Sequence, residues 1–311
     1  MNAATGSVAP RRRKRRGAGA FGGRTRWYGY AFVAPVALFL CAVIVFPLGH
    51  AFWTSLYRVR GLNTTFVGLA NYARVLGDDA FWHSLGISLA FTASSVLLHM
   101  LLGLGLALLL HALRFARTPL RILFLTPWMV APAVGATIWL WLLEPQFGVV
   151  NYLLRVTHVA AAPVAWLGQP GTALAAVIAV DVWRGVPFVM LLMLAGLATI
   201  PTEQYEAAAI DGANGWQRFR YVTWPNLRYL LVVASTLDII NTIRHYDIIG
   251  VMTAGGPARG TEVLPVLLYN TAFRANRFGE AAAIGVALLA LVLAFSIVYV
   301  RLTRPERAGT A

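Results

Sequence analysis

Ionisable and polar side chains interrupt two of the long apolar stretches of this sequence. Asp181 and Arg184 stand three residues apart in one stretch, so a helix would place them on the same face. Asp238 and Asn241 have the same spacing in a later stretch. Towards the hydroxyl groups of a solute, a carboxylate accepts hydrogen bonds, a guanidinium donates them and an amide does both. If these stretches cross a membrane, each charge costs about 3 kcal/mol near its centre and must face the protein interior or a wet cavity.

Two interpretations of these groups stay open. In the first, Asp181 and Arg184 neutralise each other and only hold helices together. In the second, the polar groups line a path for a hydroxylated solute, and His245 extends the stripe of Asp238 and Asn241 at i+7. For Asp247, three residues after Arg244, the favoured alternative to lining the path is a local structural role. The candidate path residues are Asp181, Arg184, Asp238, Asn241 and Asp247.

The composition indicates what surrounds these groups. The chain has 311 residues, of which 59% are hydrophobic and 12% charged, and its mean hydropathy is +0.66. These values are typical of an integral membrane protein. The formal charge of +14 comes from short loops and a basic tail with the run RRRKRR at residues 11–16. This distribution favours binding to anionic lipid over binding to nucleic acid. The single Cys41 excludes an intramolecular disulfide.

Six stretches have the length and apolarity of a membrane span, which needs about 20 residues. The chain is therefore predicted to be an all-α polytopic membrane protein with six transmembrane helices. With the N-terminus in the cytoplasm, 17 of the 26 Lys and Arg residues fall in inner segments and 7 in outer loops, so both termini are predicted to be cytoplasmic. The predicted spans lie at about 28–52, 84–112, 120–143, 172–199, 227–253 and 279–302.

This topology predicts a division of the chain into segments. A basic cytoplasmic tail is expected at 1–27, a first transmembrane helix at 28–53 and an external loop at 54–83. The remaining helices form a core at 84–302, which includes a cytoplasmic loop at about 201–226, and a short cytoplasmic tail occupies 303–311.

The cytoplasmic loop contains the polar segment EAAAIDGANGWQRFRYVTWP, which ends at Pro225. Thr202 can cap a first helix, and Gly212 can supply the left-handed turn that ends it. A second short helix can begin near Asn214, and Pro225 is expected to stop it. The residue pattern alone fits either an amphipathic linker at the membrane surface or a rigid docking element.

The same segment resembles the signature cytoplasmic loop of binding-protein-dependent ABC importer permeases. That signature is EAA, three residues, G, nine residues, and then a hydrophobic-x-hydrophobic-P sequence. Here it begins at Glu206, has its glycine at Gly212 and closes with Val222, Trp224 and Pro225. Trp224 replaces the usual leucine and Val222 the commoner isoleucine, and both keep the hydrophobic character. Other stretches, including VGLANYARVL, LAGLATIP and TAGGPARGTEVLPVLLYNTAF, are similar to the carbohydrate-type branch, the maltose and glycerol-phosphate-like importers.

The resemblance implies a function and a set of partners. In this family the loop is a coupling helix seated in a groove of a cytoplasmic ABC ATPase. A second permease subunit, expected to form a heterodimer with this one, completes the pore in the prokaryotic inner membrane. An extracytoplasmic solute-binding protein delivers a sugar or related solute. The coupling residues implied here are Glu206, Ala207, Ala208, Asp211, Gly212 and Pro225.

Several functions are disfavoured by missing motifs. The only lysine is Lys14, so the chain has no standard P-loop and any ATP is expected to be bound by a partner. Neither an H-E-x-x-H helix nor a G-x-S-x-G elbow occurs, and we expect no enzymatic activity and no cofactor in this chain.

Three alternatives remain. An ion-coupled secondary transporter predicts an inverted repeat, and none is convincing here. A membrane scaffold or receptor would not need polar residues on two adjacent spans. An ABC permease for amino acids, peptides or phosphate esters stays open, because the loop signature does not contact the solute.

Overall fold

The structure is a computed structural model, and it describes residues 23–60, 63–113, 117–160 and 162–303. The tails predicted at 1–27 and 303–311 lie almost entirely outside the described residues, and so does the basic run at 11–16.

Helices make up most of the described chain. They are α1 (Gly23–Leu40), α2 (Phe46–Ser55), α3 (Ala70–Leu76), α4 (Asp79–Ala112), α5 (Arg117–Met129), α6 (Pro132–Leu142), α7 (Val149–Val156), α8 (Pro170–Leu197), α9 (Thr202–Ile210), α10 (Gly215–Arg218), α11 (Trp224–Thr242), α12 (Asp247–Met252), α13 (Leu264–Tyr269) and α14 (Phe278–Thr303). Turns of π-helix occupy Cys41–Val45, Phe219–Thr223 and Asn270–Arg274.

The chain divides into two compact units, residues 1–50 and 51–311. In the first unit, α1 continues through the π-helical turn Cys41–Val45 into the start of α2. The second unit contains the other helices and a two-stranded sheet. The candidate site residues all belong to the second unit.

Four helical stretches of the described chain are long and apolar enough to cross a membrane, namely Phe32–Ser55, Asp79–Ala112, Pro170–Leu197 and Phe278–Tyr299. A fifth crossing results if α5 and α6 count as one span, although the two helices meet at an angle of 97°. Pro132 opens α6 directly after the break, where proline starts a new helix easily. The protein is therefore a mostly helical membrane protein, while the predicted count of six spans is not confirmed.

The stretch predicted as a single span at 227–253 contains two helices. α11 ends at Thr242 and α12 begins at Asp247, so the chain turns between them. Arg228, Asp238 and Asn241 make α11 less apolar than the other long helices. Because the helix ends before His245, that residue is not on the predicted helical stripe, and this part of the prediction was wrong.

The loop predicted at 54–83 contains a β-hairpin, so the all-α prediction was wrong in this detail. Strands β1 (Tyr57–Arg60) and β2 (Asn63–Phe66) pair antiparallel, with Tyr57 opposite Phe66. Three of the paired residues, Val59, Thr64 and Thr65, are β-branched and favour the extended backbone. The side chain of Asn71 in α3 donates to the carbonyl oxygen of Tyr57 at 2.9 Å, which ties the hairpin to the helices.

Two apolar clusters share α4 and α8, and a polar layer separates them. One cluster packs the last third of α8, around Met190 and Met193, against Leu227 of α11. The other packs the first third of α8, around Val177, against Phe91 of α4. The buried Asp181 lies on α8 between the two clusters. This arrangement places Asp181, His99 and Asp238 in one polar layer.

α4 approaches α8 closely at Gly103. A Cβ atom at this position would lie 2.7 Å from the Cβ of Val189 and 3.1 Å from the backbone nitrogen of Met190. We expect Gly103→Val to destabilise the protein by about 1–3 kcal/mol, because the added side chain overpacks this contact. Thermal unfolding of the purified protein measures the effect. The matched control is Gly105→Val, since nothing lies within 4 Å of its Cβ position; an equal loss in both variants would contradict the close contact.

Candidate functional site

A cavity of about 500 Å³ lies among α4, α5, α6, α8 and α11. It contains four of the five candidate path residues, and Asp181 lies buried behind its wall. The polar residues that line it are His99, Arg184, Asp238, Asn241, Arg244, His245 and Asp247. The ring of Trp128 on α5 stacks with that of Phe188 on α8, with centroids 6.3 Å apart and planes at 26°, and both rings line the same cavity.

The side chain of His99 joins two buried aspartates. Its Nδ1 lies 2.9 Å from Oδ2 of Asp238, and its Nε2 lies 3.2 Å from the carbonyl oxygen of Asp181. The imidazole is only 1% exposed. His99 therefore connects α4 with both α8 and α11.

Sequence reasoning missed His99, although the sequence contains a signal for it. Ser88, Thr92, Ser95 and His99 follow one another at spacings of three or four residues along α4, and all four are buried. This spacing places polar side chains on one face of an otherwise apolar helix. Such a stripe indicates a polar helix–helix contact inside a membrane protein.

Asp181 pairs with histidines, which rules out the interpretation in which it pairs with Arg184. Nδ1 of His245 lies 2.8 Å from Oδ1 of Asp181, while Nε2 of His99 lies 3.7 Å from Oδ2. The turn after α11 brings His245 to the carboxylate, and Arg184 lies instead along the cavity. The Nε of Arg184 is buried and has no hydrogen-bond partner within the described residues.

Arg244 is bound within its own segment. Its Nη2 donates to Oδ1 of Asn241 at 3.0 Å, and its Nε donates to the carbonyl oxygen of Ile240 at 2.9 Å. The cavity therefore presents two arginines and two aspartates, whose formal charges balance. Such a surface offers many hydrogen-bond donors and acceptors without a large net charge.

The loop after α8 begins with α9, as the sequence predicted. Pro201 and not Thr202 occupies the N-cap position, while Glu203 lies in the first turn. Gly212 has φ +77°, which confirms the predicted left-handed turn. The backbone nitrogen of Ala213 donates to the carbonyl oxygen of Ala208 at 2.9 Å, and that of Gly212 to Ala209 at 3.1 Å. These two bonds form a Schellman motif that fixes the direction in which the chain leaves α9.

The second helix of the loop begins as predicted but does not end where predicted. Asn214 caps α10 in a capping box with Gln217, with hydrogen bonds of 2.9 and 2.7 Å. α10 then continues through the π-helical turn into α11, and Trp224 donates to the carbonyl oxygen of Phe219. Pro225 lies in the first turn of α11, where a missing N–H is tolerated, and it does not stop the helix.

Hydrogen bonds fasten α9 to the beginning of α11. The hydroxyl groups of Tyr205 and Thr223 share a bond of 3.0 Å, and Nδ2 of Asn226 donates to Oε1 of Gln204 at 2.9 Å. Tyr205 also packs against the apolar cluster formed by the end of α8 and the start of α11. A displacement of α9 should therefore be transmitted to both long helices.

The loop has an exposed and partly apolar surface. Ile210, Trp216 and Tyr221 are 86%, 70% and 73% exposed. Among the candidate coupling residues, Ala208 is half-buried and the others, Glu206, Ala207, Asp211, Gly212 and Pro225, are exposed. Exposed aromatic and aliphatic side chains beside two carboxylates suit a protein-docking surface.

The loop joins α8 and α11, two of the helices that line the cavity. Arg184 lies 13 residues before the end of α8, and Asp238 lies 14 residues after the start of α11. A helix rises 1.5 Å per residue, so the cavity lies about 20 Å from the loop along both helices. The two helices thus connect the exposed loop to the polar cavity in the core.

Comparison with known proteins places this arrangement in a family. A family model described as "Binding-protein-dependent transport system inner membrane component" matches residues 99–306. The trehalose/maltose transport system permease protein MalF of Thermococcus litoralis is 38% identical over 281 residues, which cover 90% of this chain and 94% of the relative. The trehalose transport system permease protein SugA of Mycobacterium tuberculosis is 33% identical over 280 residues, 89% of each chain.

A solved structure shows the same fold. A chain of a bacterial alginate ABC transporter, crystallised with an alginate pentasaccharide-bound periplasmic protein, superposes with a TM-score of 0.79 at 20% identity. The match covers 90% of this chain and 95% of that chain. The matched family is one of transport components and not of enzymes. This chain belongs to that family, and it is an inner-membrane permease subunit of a binding-protein-dependent ABC importer.

Proposed function

We propose that this subunit forms part of the path for a neutral sugar or a related polyol, and that its cavity contacts the solute. The observation that carries the proposal is the lining of that cavity. The stacked rings of Trp128 and Phe188 offer an apolar surface, and Arg184, Asp238 and Asn241 offer donors and acceptors. A sugar presents an apolar ring face and a hydroxylated edge, so both kinds of surface have a counterpart on it.

The related proteins support the sugar assignment. Their names specify trehalose/maltose, trehalose and sulfoquinovosyl glycerol as transported compounds. The charge of the cavity also favours a neutral solute, because the two lining aspartates balance the two arginines and the buried Asp181 offsets a proton on His99. A phosphate ester would call for an excess of positive groups. We therefore favour a sugar over the amino acid, peptide and phosphate ester alternatives.

We assign ATPase coupling to the exposed loop between α8 and α11. Its contact residues are Glu206, Ala207, Ala208, Asp211, Gly212 and Pro225. Cytoplasmic ABC ATPase subunits bind this surface and bind the ATP. A second permease subunit, forming a heterodimer with this one, completes the pore, and an extracytoplasmic solute-binding protein delivers the solute.

The proposed topology has six crossings and both termini in the cytoplasm. α5 with α6 and α11 supply the two crossings beyond the four long apolar helices. The bias of Lys and Arg towards the inner segments supports this orientation. It also assigns the segments 1–27 and 303–311 and the loop at 201–226 to the cytoplasm, and the loop at 54–83 to the outside.

Uptake into proteoliposomes tests the substrate assignment. The complex, purified through a tag on this chain, is reconstituted with its binding protein and given labelled trehalose, maltose, glycerol phosphate or a dipeptide. We expect ATP-dependent uptake of a neutral sugar, and about fivefold weaker uptake at low solute concentration in Trp128→Ala, because one stacking contact is worth roughly 1 kcal/mol. The control is Trp141→Ala, an exposed tryptophan outside the cavity. Uptake of the dipeptide or glycerol phosphate alone, or equal effects of the two variants, would overturn the proposal.

A further inference from the structure

Both ring nitrogens of His99 lie opposite hydrogen-bond acceptors. Nδ1 lies 2.9 Å from a carboxylate oxygen of Asp238, and Nε2 lies 3.2 Å from the backbone carbonyl oxygen of Asp181. A carbonyl oxygen cannot donate, and neither can an ionised carboxylate, while a neutral imidazole has only one N–H. The two contacts are both satisfied if the ring carries a proton on each nitrogen. A second carboxylate oxygen, Oδ2 of Asp181, lies 3.7 Å from Nε2 and complements that positive charge.

The surrounding residues leave the ring of His99 little freedom. A Cβ atom on Gly185 of α8 would lie 2.3 Å from Nε2 and 2.4 Å from Cε1 of His99. The absence of a side chain at Gly185 therefore makes room for the imidazole. His99 is buried, and Asp181 and Asp238 are buried with it. The imidazole thus has a fixed orientation between α8 and α11.

We propose that His99 is a positioning residue that, with a proton on each ring nitrogen, ties α4 to Asp181 of α8 and Asp238 of α11. The contact occupies Oδ2 of Asp238 and leaves Oδ1 to accept a hydrogen bond from a solute hydroxyl in the cavity. That last step rests on the proposed function of the cavity, whereas the protonation of the ring and the link among the three helices do not. His99 thus acts on the solute through Asp238.

Charged groups lie near His99 on α8, on α11 and on the segment that follows α11. α8 contributes Asp181 and Arg184, and α11 contributes Asp238. The turn after α11 and the start of α12 contribute Arg244, His245 and Asp247 to the same cavity. α5 and α6 contribute Trp128 and Pro132, which carry no charge. Asp238 is the carboxylate in direct contact with Nδ1. Its neutralisation should therefore have the largest effect on the protonation of the ring.

Nitrogen NMR of the reconstituted full-length protein, labelled with ¹⁵N-histidine, tests the proposal directly. The chain contains six histidines, and the His99 signals are those that disappear in His99→Gln, or that persist when the other five are replaced singly. We expect two protonated ring nitrogens for His99 at pH 7.5. Asp238→Asn should convert the ring to a form with one proton, and Asp247→Asn, which lines the cavity without contacting His99, should leave the signals unchanged.

The outcomes separate this inference from the proposed function. A His99 ring with one protonated nitrogen in the unmodified protein, or the same spectrum in Asp238→Asn, would overturn the inference even if sugar uptake is normal. In the uptake assay, His99→Gln and Asp238→Asn should each lower uptake about tenfold or more, and the double variant should lose no more than the worse single variant. Fully additive losses would also overturn the positioning role. A protein with the expected spectrum and no ATP-driven sugar uptake would refute the proposed function alone.

Discussion

Replacing Gly212 by valine should lower ATP-driven uptake at least tenfold while leaving the amount of protein in the membrane unchanged. Gly212 has φ +77°, a conformation that a β-branched residue adopts only with strain. The substitution should disrupt the Schellman bonds of Gly212 and Ala213, which set the direction of the chain between α9 and α10. The local cost is about 1–2 kcal/mol, which is too small to unfold the protein but large enough to misplace the loop.

The matched control for this prediction is Gly215→Ala in the same loop. Gly215 also has open space around its Cβ position, but it lacks the left-handed φ of Gly212. Uptake into vesicles and the membrane level of the protein, measured by immunoblot, are compared for both variants. Normal uptake by Gly212→Val at normal expression would show that the turn does not transmit coupling.

Replacing Asp181 by alanine should lower the free energy of unfolding by about 3–5 kcal/mol, because it leaves buried polar partners without their counter-charge. Oδ1 of Asp181 lies 2.8 Å from His245, and its Oδ2 lies 3.7 Å from His99. The polar layer separates two apolar clusters that both use α8, so its disruption should loosen the helix contacts on each side. We expect the variant to be recovered from membranes in much lower yield.

Thermal unfolding of the detergent-purified protein measures this effect. Asp247→Ala is the matched control, because Asp247 lines the same cavity but is exposed. We expect a small change for the control, within about 0.5 kcal/mol, as for most exposed substitutions. A similar midpoint for the unmodified protein and Asp181→Ala would show that the histidine contacts do not stabilise the core.

The loop between α8 and α11 could be predicted well because its structure is set locally. Gly212 adopts the left-handed turn and Asn214 caps the next helix, as their residue types indicated. The prediction for Pro225 was wrong. The sequence does not distinguish a proline that ends a helix from one in the first turn of the next helix, and it does not reveal the π-helical turn that joins α10 to α11 here. Similarly, an apolar stretch at 120–143 gave the right position for α5 and α6 but not their 97° bend.

The polar layer could not be predicted in the same way, because its partners come from distant parts of the chain. The i, i+3 spacing of Asp181 and Arg184 suggested a pair, but the turn after Thr242 brings His245 to Asp181 instead. His99 lies 139 residues from its partner Asp238. A single sequence gives the polar stripe on α4 but not the helix that the stripe faces.

Identification of the proteins that accompany this chain tests most directly whether the loop couples an ATPase to the cavity. The protein is tagged at its C-terminus, purified gently from its native membrane and analysed by mass spectrometry together with its Glu206→Arg variant. We predict that an ABC ATPase and a second permease accompany the unmodified chain, and that the ATPase is lost from the variant. Recovery of the chain alone, in a form that still transports solute after reconstitution without ATP, would contradict this coupling and favour a secondary transporter.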